Sequence, residues 1–283
     1  MGMSAECVLS LGPHGFHRIA FTHWGSADNP RVLICVHGLT RTGRDFDALA
    51  KACEEDYQVA CPDLPGRGES QWLTVATDYQ TITYLNDMAA LIARLGATEV
   101  DWVGTSLGGQ LGMILAAQPG TPIRRLVLND IGAFVPREGL QRIADYVGSD
   151  PEFEDEAGLE AYLREVHAPF GQLTDEQWAH LTRHSARHDP NTGRMRLHYD
   201  PGLAAPFKEG FGDDLSFWPL WDAVQCPVLI LRGAESDILP REIAEEMTTR
   251  VPSAELVQFD GMGHAPMLMD PDQIAAVRNW LSE

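Results

Sequence analysis

Six short apolar runs constrain the fold of this 283-residue chain more than any other feature of its sequence. They are rich in aliphatic and β-branched residues, and longer stretches with helical spacing separate them. The runs occupy residues 31–38, 57–63, 99–106, 123–130, 227–233 and 254–260. Since strands that are apolar on both faces need cover on both faces, this alternation predicts a mostly parallel sheet between two layers of helices.

The alternation stops between about residues 131 and 213, where the chain is polar and helical in pattern and contains no convincing strand. Within it, Thr174 followed three residues later by Gln177 predicts a helix start of the capping-box type. We interpret 133–213 as a helical cap inserted into a single domain, 1–283, whose core is 1–132 and 214–283. Such a cap would cover the carboxyl edge of the sheet, where α/β proteins bind their ligands.

The charge balance bears on partners and location. The chain has 41 acidic and 21 basic residues, a formal net charge of −20, which argues against nucleic-acid and anionic-membrane partners. No apolar run approaches the ~18 residues of a membrane span, and no signal peptide is recognisable. The five cysteines form no C-x-x-C motif. We therefore expect a cytoplasmic protein without a membrane span, whereas the sequence says nothing about its oligomeric state.

The third apolar run leads into Gly-Thr-Ser-Leu-Gly (104–108), which places Ser106 between Gly104 and Gly108 and before a predicted helix. This G-x-S-x-G pattern in a strand–turn–helix context is typical of a nucleophile held on a very tight turn. The two glycines would remove side chains that otherwise collide with the adjacent strand and helix. The alternative is that Ser106 only caps the helix.

A serine nucleophile needs a base, and the base needs an orienting acid. His264 follows the sixth run on a glycine-flanked loop, and Asp237 follows the fifth. The chain order Ser…Asp…His, with each residue after a strand, lets all three meet at one edge of the sheet. Glu235 and Asp130 remain alternative acids.

Five segments in order carry a resemblance to a known family. They are VHGLT (36–40), PDLPGRGES (62–70), VGTSLGG (103–109), LRGAESDIL (231–239) and GMGHAPML (261–268). The chain resembles the α/β-hydrolase fold family, and within it the serine carboxylesterase-like members and C–C-bond hydrolases with a helical cap.

The resemblance implies Ser106 as nucleophile, His264 as general base and Asp237 as its orienting acid. The backbone N–H groups of Leu39 and Leu107 would form the oxyanion hole. The resemblance gives His37 a structural part. It also places Arg67 where many relatives have histidine, a difference expected to change little. No cofactor and no metal are implied.

The implied reaction is hydrolysis of small-molecule carboxylic esters with small to medium acyl groups, through an acyl-enzyme on Ser106. Thioesters and C–C bonds flanked by carbonyls remain alternatives because they use the same groups. A non-catalytic ligand-binding protein is the alternative from another class, although binding alone would not require the base and the acid. Epoxide hydrolases and dehalogenases of this fold use an aspartate nucleophile, so Ser106 argues against both.

Two features of the predicted cap remain. His180, His184 and His188 share one helix face at i, i+4 and i+8, a spacing that metal ligands can have, but without a matching acid we predict no metal. Residues 180–198 also hold four arginines, Arg183, Arg187, Arg194 and Arg196. These either pair with cap carboxylates such as Glu154, Asp155 and Glu156, or place a positive potential over the site that attracts esters with a free carboxylate.

Overall fold

The computed structural model describes residues 2–207 and 213–283. Its strands are β1 (Ser4–Gly12), β2 (Gly15–Trp24), β3 (Val32–Val36), β4 (Gln58–Pro62), β5 (Val100–Thr105), β6 (Ile123–Asn129), β7 (Phe134–Val135), β8 (Ala186–His188), β9 (Met195–Leu197), β10 (Leu215–Ser216), β11 (Val228–Gly233) and β12 (Ala254–Phe259). Eight of them form the central sheet in the order β1-β2-β4-β3-β5-β6-β11-β12. From β4 to β12 every neighbouring pair is parallel, so the six predicted strands and their parallel arrangement are confirmed.

The amino-terminal hairpin of β1 and β2 was not predicted. It pairs antiparallel and extends the sheet beyond β4. Its strands alternate exposed and less exposed residues, and Leu9, Leu11 and Phe16 are all exposed. A strand with apolar residues on its solvent face lacks the hydrophobic pattern by which buried strands are recognised.

Helices cover both faces of the sheet. They are α1 (Asp47–Cys53), α2 (Thr81–Leu95), α3 (Leu107–Ala116), α4 (Arg137–Tyr146), α5 (Glu156–Val166), α6 (Asp175–Ser185), α7 (Trp218–Trp221), α8 (Arg241–Arg250) and α9 (Pro271–Ser282). Buried residues of α1 and α9 pack on one face, and those of α2, α3 and α8 on the other. No helix of the described part of the chain is both long and apolar enough to cross a bilayer.

The segment between β6 and α7 contains α4, α5 and α6, as its composition indicates. Strands β7 and β10 pair where the chain leaves and rejoins the core. Strands β8 and β9 form a hairpin whose turn is Asp-Pro-Asn-Thr-Gly, residues 189–193. The expectation of no strand here is therefore wrong, because strands of two or three residues are too short to show a period. Residues 208–212 of the predicted cap lie outside the described residues.

Helix α6 begins with the predicted capping box: the Thr174 hydroxyl accepts from the Gln177 amide, and the Gln177 side chain accepts from the Thr174 amide. It ends at Ser185, so His188 lies on β8 and not on the helix face of His180 and His184.

Candidate active site

Ser106 lies on the tight turn between β5 and α3. Its backbone has φ 51° and ψ −115°, a strained conformation for a residue other than glycine. A Cβ atom on Gly104 would lie 2.3 Å from the backbone of Gly108, and one on Gly108 would lie 2.0 Å from the carbonyl oxygen of Val36. The turn therefore requires both glycines, for the reason expected from the sequence.

The hydroxyl of Ser106 contacts His264. Ser106 Oγ and His264 Nε2 are 2.9 Å apart, whereas the serine makes no side-chain capping bond to α3 in the described chain. The histidine's other nitrogen, Nδ1, lies 2.8 Å from Oδ2 of Asp130. Ser106, His264 and Asp130 thus form a continuous hydrogen-bonded series. The structure does not support the alternative in which Ser106 only caps α3.

Asp237 does not make the predicted contact with His264. Its carboxylate is 43% exposed and is held by Arg142 of α4, with Nε donating at 2.5 Å and Nη2 at 2.8 Å. Partial burial opposes ionisation of Asp237, but the hydrogen bonds and charge of Arg142 outweigh it and lower the carboxyl pKa. The loop after β11 instead supplies Ser236, whose hydroxyl donates to Asp130 at 2.5 Å.

Asp130 is held in place from three sides. It follows β6, the strand next to the one that carries Ser106, and its positive φ of 56° is unusual for an aspartate. The fully buried carboxylate accepts from the Gly233 amide at 2.8 Å in addition to Ser236 and His264. Three donors stabilise an ionised carboxylate away from water.

Leu39 and Leu107, the predicted oxyanion residues, both line the cleft beside Ser106. Leu107 is the first residue of α3, and a Cβ on the neighbouring Gly38 would lie 3.6 Å from Cβ of Ser106. Neither amide donates a hydrogen bond to another described residue. An amide pair left free beside a serine hydroxyl is suited to receive an oxyanion.

The loop that carries Leu39 is fixed by two buried side chains. Arg67 Nε donates to the Leu39 carbonyl at 2.7 Å, and its Nη1 donates to Pro65 and to the Tyr84 hydroxyl. His37 Nδ1 bonds the Gly38 carbonyl at 2.6 Å, and its Nε2 accepts from the Leu64 amide. Burial, then the charge of Arg67, lowers the pKa of His37 to about 3, so its ring is neutral. His37 thus has a structural role, as expected. Arg67 also fixes this loop, although the sequence suggested that an arginine at this position would change little.

The cleft at Ser106 has two compartments. The one on the histidine side is partly polar, with lining residues that include Arg41, Arg142, Tyr146, His167, Phe170 and His264. The one on the opposite side is mainly apolar, with lining residues that include Leu107, Ile131, Val135, Leu140, Leu215 and Ile238. Helix α4 of the segment above the sheet contributes to both.

Three of the four arginines of the predicted cap make ion pairs. Arg196 binds Asp150 and Asp189, at 2.8 and 3.0 Å, and also contacts Glu152. Arg187 shares Asp150, while Arg194 lies 3.5 Å from Glu154, the one acid named from the sequence that takes part. Arg183 makes no ion pair with a described residue, so the first of the two interpretations holds for three of the four arginines.

His180 and His184 have an acidic neighbour that sequence spacing does not show. Side-chain ligand atoms of Asp47, His180 and His184 all lie within 4.8 Å of one another, an arrangement that could hold a metal ion. Asp47 comes from α1. However, Arg44 already donates to both oxygens of that carboxylate at 2.5 to 2.9 Å, and His180 Nε2 bonds the Arg44 carbonyl. A cation there would compete with a guanidinium.

Comparisons with known proteins agree with this architecture. Residues 31–271 match the model of the alpha/beta hydrolase fold family. A 3-hydroxybutyrate-oligomer hydrolase of Cupriavidus necator is 45% identical over 95% of this chain and 94% of its own length. A crystal structure of an alpha/beta hydrolase from Novosphingobium aromaticivorans superimposes with a TM-score of 0.88, at 37% identity over 98% of both chains.

The protein therefore belongs to the alpha/beta hydrolase fold family. A more distant relative, a 2-(acetamidomethylene)succinate hydrolase of Mesorhizobium japonicum, is 25% identical over 88% of this chain and 87% of its own. Together the family and these relatives support an enzyme that hydrolyses ester or related bonds.

Proposed function

We propose that the protein is a serine hydrolase that cleaves carboxylic esters through an acyl-enzyme on Ser106. The observation that carries the proposal is the hydrogen-bonded series Ser106–His264–Asp130, at 2.9 and 2.8 Å, at the base of the cleft. A ligand-binding protein would need a cleft but would not need a serine aligned with a histidine and a buried acid.

In the proposed mechanism, His264 Nε2 takes the proton of the Ser106 hydroxyl as the oxygen attacks the ester carbonyl. Asp130 keeps Nδ1 protonated and stabilises the imidazolium that forms. The amides of Leu39 and Leu107 bind the oxyanion, and each such donor typically contributes ~3 kcal/mol to the transition state. His264 then protonates the leaving alcohol, and a water molecule activated by His264 hydrolyses the acyl-enzyme.

For the substrate we propose oligoesters of short hydroxy acids, of the 3-hydroxybutyrate type. The proposal rests on the named activity of the relative that is 45% identical along nearly the whole chain. It also fits the mainly apolar lining of the compartment on the side away from His264, which suits an aliphatic acyl chain. Thioesters and C–C bonds remain the alternatives, since they would use the same groups.

The test is a comparison of kcat/KM for 3-hydroxybutyrate dimer and trimer, a 4-nitrophenyl ester, a matched thioester and a β-diketone. Ser106→Ala serves as the blank. We expect the hydroxybutyrate esters to be the best substrates and the blank to lose the activity. Preference for the thioester or the diketone would reassign the substrate class, and full ester hydrolysis by Ser106→Ala would refute the mechanism.

A further inference from the structure

His167 presents an unused polar ring to the histidine-side compartment. The residue is only 9% exposed, and its ring stacks on Phe170 at 4.5 Å with the planes 4° apart. It lines the cleft, yet neither ring nitrogen makes a hydrogen bond within residues 2–207 and 213–283. The ring nitrogens are not among the fully enclosed unpartnered atoms, so they reach the open space of the cleft, where they are free to bond a polar ligand atom.

Arg142 lies in the same compartment. Two of its guanidinium nitrogens, Nε and Nη2, bind Asp237, and the third, Nη1, has no hydrogen-bond partner in the described chain. Its side chain is 35% exposed. Arg41 lines the same wall, but Asp45 and Ser185 occupy its three nitrogens at 2.7 to 2.9 Å.

His167 and Arg142 can each donate a hydrogen bond to a ligand. Burial, followed by the charges of Arg41 and Arg142, lowers the pKa of His167 well below its usual value. The ring is therefore neutral and carries one N–H, while Arg142 Nη1 carries a charge-assisted donor. A carboxylate has two oxygens that accept from two such donors.

The position of His264 decides which part of an ester reaches this wall. His264 lines the histidine-side compartment and has to protonate the leaving oxygen, so the leaving alcohol lies on that side. The acyl chain then occupies the opposite, mainly apolar compartment. In a hydroxy-acid oligoester cut at its last ester bond, the leaving alcohol is the terminal unit, which bears the free carboxylate.

We propose that His167 and Arg142 form a subsite for the carboxylate of the leaving hydroxy acid, so that the enzyme removes units one at a time from the carboxyl end of the oligoester. In each cycle the ester C–O bond breaks and the leaving oxygen receives the proton that His264 took from Ser106. The acyl group remains on Ser106 until water releases it. The inference rests on the proposed ester hydrolysis.

Its first test compares kcat/KM for 3-hydroxybutyrate dimer with that for the same dimer methylated at its carboxylate. Methyl hydrogen succinate, whose carboxylate is on the acyl side, completes the set. We expect the wild type to prefer the free acid over its methyl ester by about tenfold or more, as the loss of a charged hydrogen bond usually gives. No comparable gain is expected for the succinate.

The variants are His167→Phe, which keeps the stack on Phe170, and Arg142→Gln. Each should reduce the preference several-fold, and Arg142→Lys should retain part of it. Arg196→Gln, which removes a cap arginine outside the cleft, is the matched control and should keep the full preference. Equal hydrolysis of acid and methyl ester by the wild type, or a preference that survives in both His167→Phe and Arg142→Gln, overturns the subsite. Failure to hydrolyse any ester of the set overturns the proposed function itself.

A second measurement needs no variant. Trimer labelled isotopically in its carboxyl-terminal unit is hydrolysed by the wild type, and the first products are identified by mass spectrometry. We expect labelled monomer and unlabelled dimer. Unlabelled monomer with labelled dimer, or an equal mixture, contradicts removal from the carboxyl end.

Discussion

Asp130 and Asp237 are two carboxylates that follow neighbouring strands of the sheet, and they differ in what holds them. Asp130 is fully buried and accepts from Gly233, Ser236 and His264. Asp237 is half-exposed and belongs to an ion pair with Arg142. The first arrangement suits the orienting role proposed for Asp130, whereas the second joins the segment above the sheet to the core.

This difference predicts the ranking of two matched variants. Asp130→Asn should lower kcat by about 10³ to 10⁴, because His264 loses the acceptor that fixes its tautomer. Asp237→Asn should change kcat far less, since the series from Ser106 to Asp130 stays intact. Steady-state kinetics on a neutral ester, with melting curves for both proteins, measure the ranking. The reverse order would identify Asp237 as the orienting acid after all.

Arg67 is expected to position the amide of Leu39. Its side chain is fully buried and donates to the carbonyl of Leu39, the residue whose amide is proposed to bind the oxyanion. Arg67→Lys keeps the charge but cannot make the hydrogen bonds to Leu39, Pro65 and Tyr84 together. We expect kcat to fall about tenfold or more with a smaller change in KM, because the amide is needed most in the transition state. A higher KM with an unchanged kcat would instead indicate a role in substrate binding.

Part of the candidate site could be predicted from the order of the strands and the loops that follow them. The glycines around Ser106 and the position of His264 after the last strand are readable from sequence, since each depends on local sterics and chain order. The identity of the proposed orienting acid cannot be read from the sequence. It depends on the φ of Asp130 and on the contact of Arg142 with the loop after β11, and both follow from packing between residues about 100 positions apart.

The β8–β9 hairpin of the predicted cap allows the two interpretations of its arginines to be tested. Arg196 on β9 binds Asp150 and Asp189 and is 19% exposed, so these carboxylates largely balance its charge. Arg194→Ala/Arg196→Ala should therefore lower the melting temperature by a few degrees, as partly buried ion pairs of this kind do. It should leave the salt dependence of kcat/KM for an anionic ester unchanged. A salt dependence that disappears in the double variant would restore the long-range steering interpretation.

Across the whole chain, the pattern of hydrophobicity predicted the six parallel strands because each is buried on both faces. It missed the β1–β2 hairpin and the short cap strands, which show no such pattern. The negative net charge of −20 limited the partners but did not locate any site. Contacts such as Asp47 with His180 bring together residues far apart in the chain, and no spacing rule reveals them.

Buried neutral histidines make the fold sensitive to acid. Burial is the first cause that lowers the pKa of His37 and of His184, each to about 3, and it also lowers those of His167 and His198. Since the unfolded chain takes up these protons below pH ~6.5, the stability is lost as the pH falls from there toward the folded pKa. For the fully buried His37 the slope approaches ~1.4 kcal/mol per pH unit.

Two groups oppose this trend. Burial raises the pKa of Asp63 to about 6, so its contribution grows as the pH falls between about 6 and 3.8. The hydrogen bond with Asp87 raises the pKa of His17, whose contribution is complete once the pH is below ~6.5. With four histidines against these two groups, we expect the free energy of unfolding to decrease from pH 6.5 to 4.5. Urea denaturation at three pH values measures it. His184→Gln should flatten the slope while His188→Gln, at an exposed position, should not; identical slopes would contradict the account.

Acylation of Ser106 is the step on which the proposed mechanism depends, and rapid-quench mass spectrometry detects it. The enzyme is mixed with a 4-nitrophenyl ester, quenched in acid within the first turnover and digested with protease. We predict a single acyl group on the peptide that contains Ser106, formed at the rate of the nitrophenol burst and absent from Ser106→Ala. An acyl group on another residue, or turnover without any acylated peptide, would contradict the mechanism.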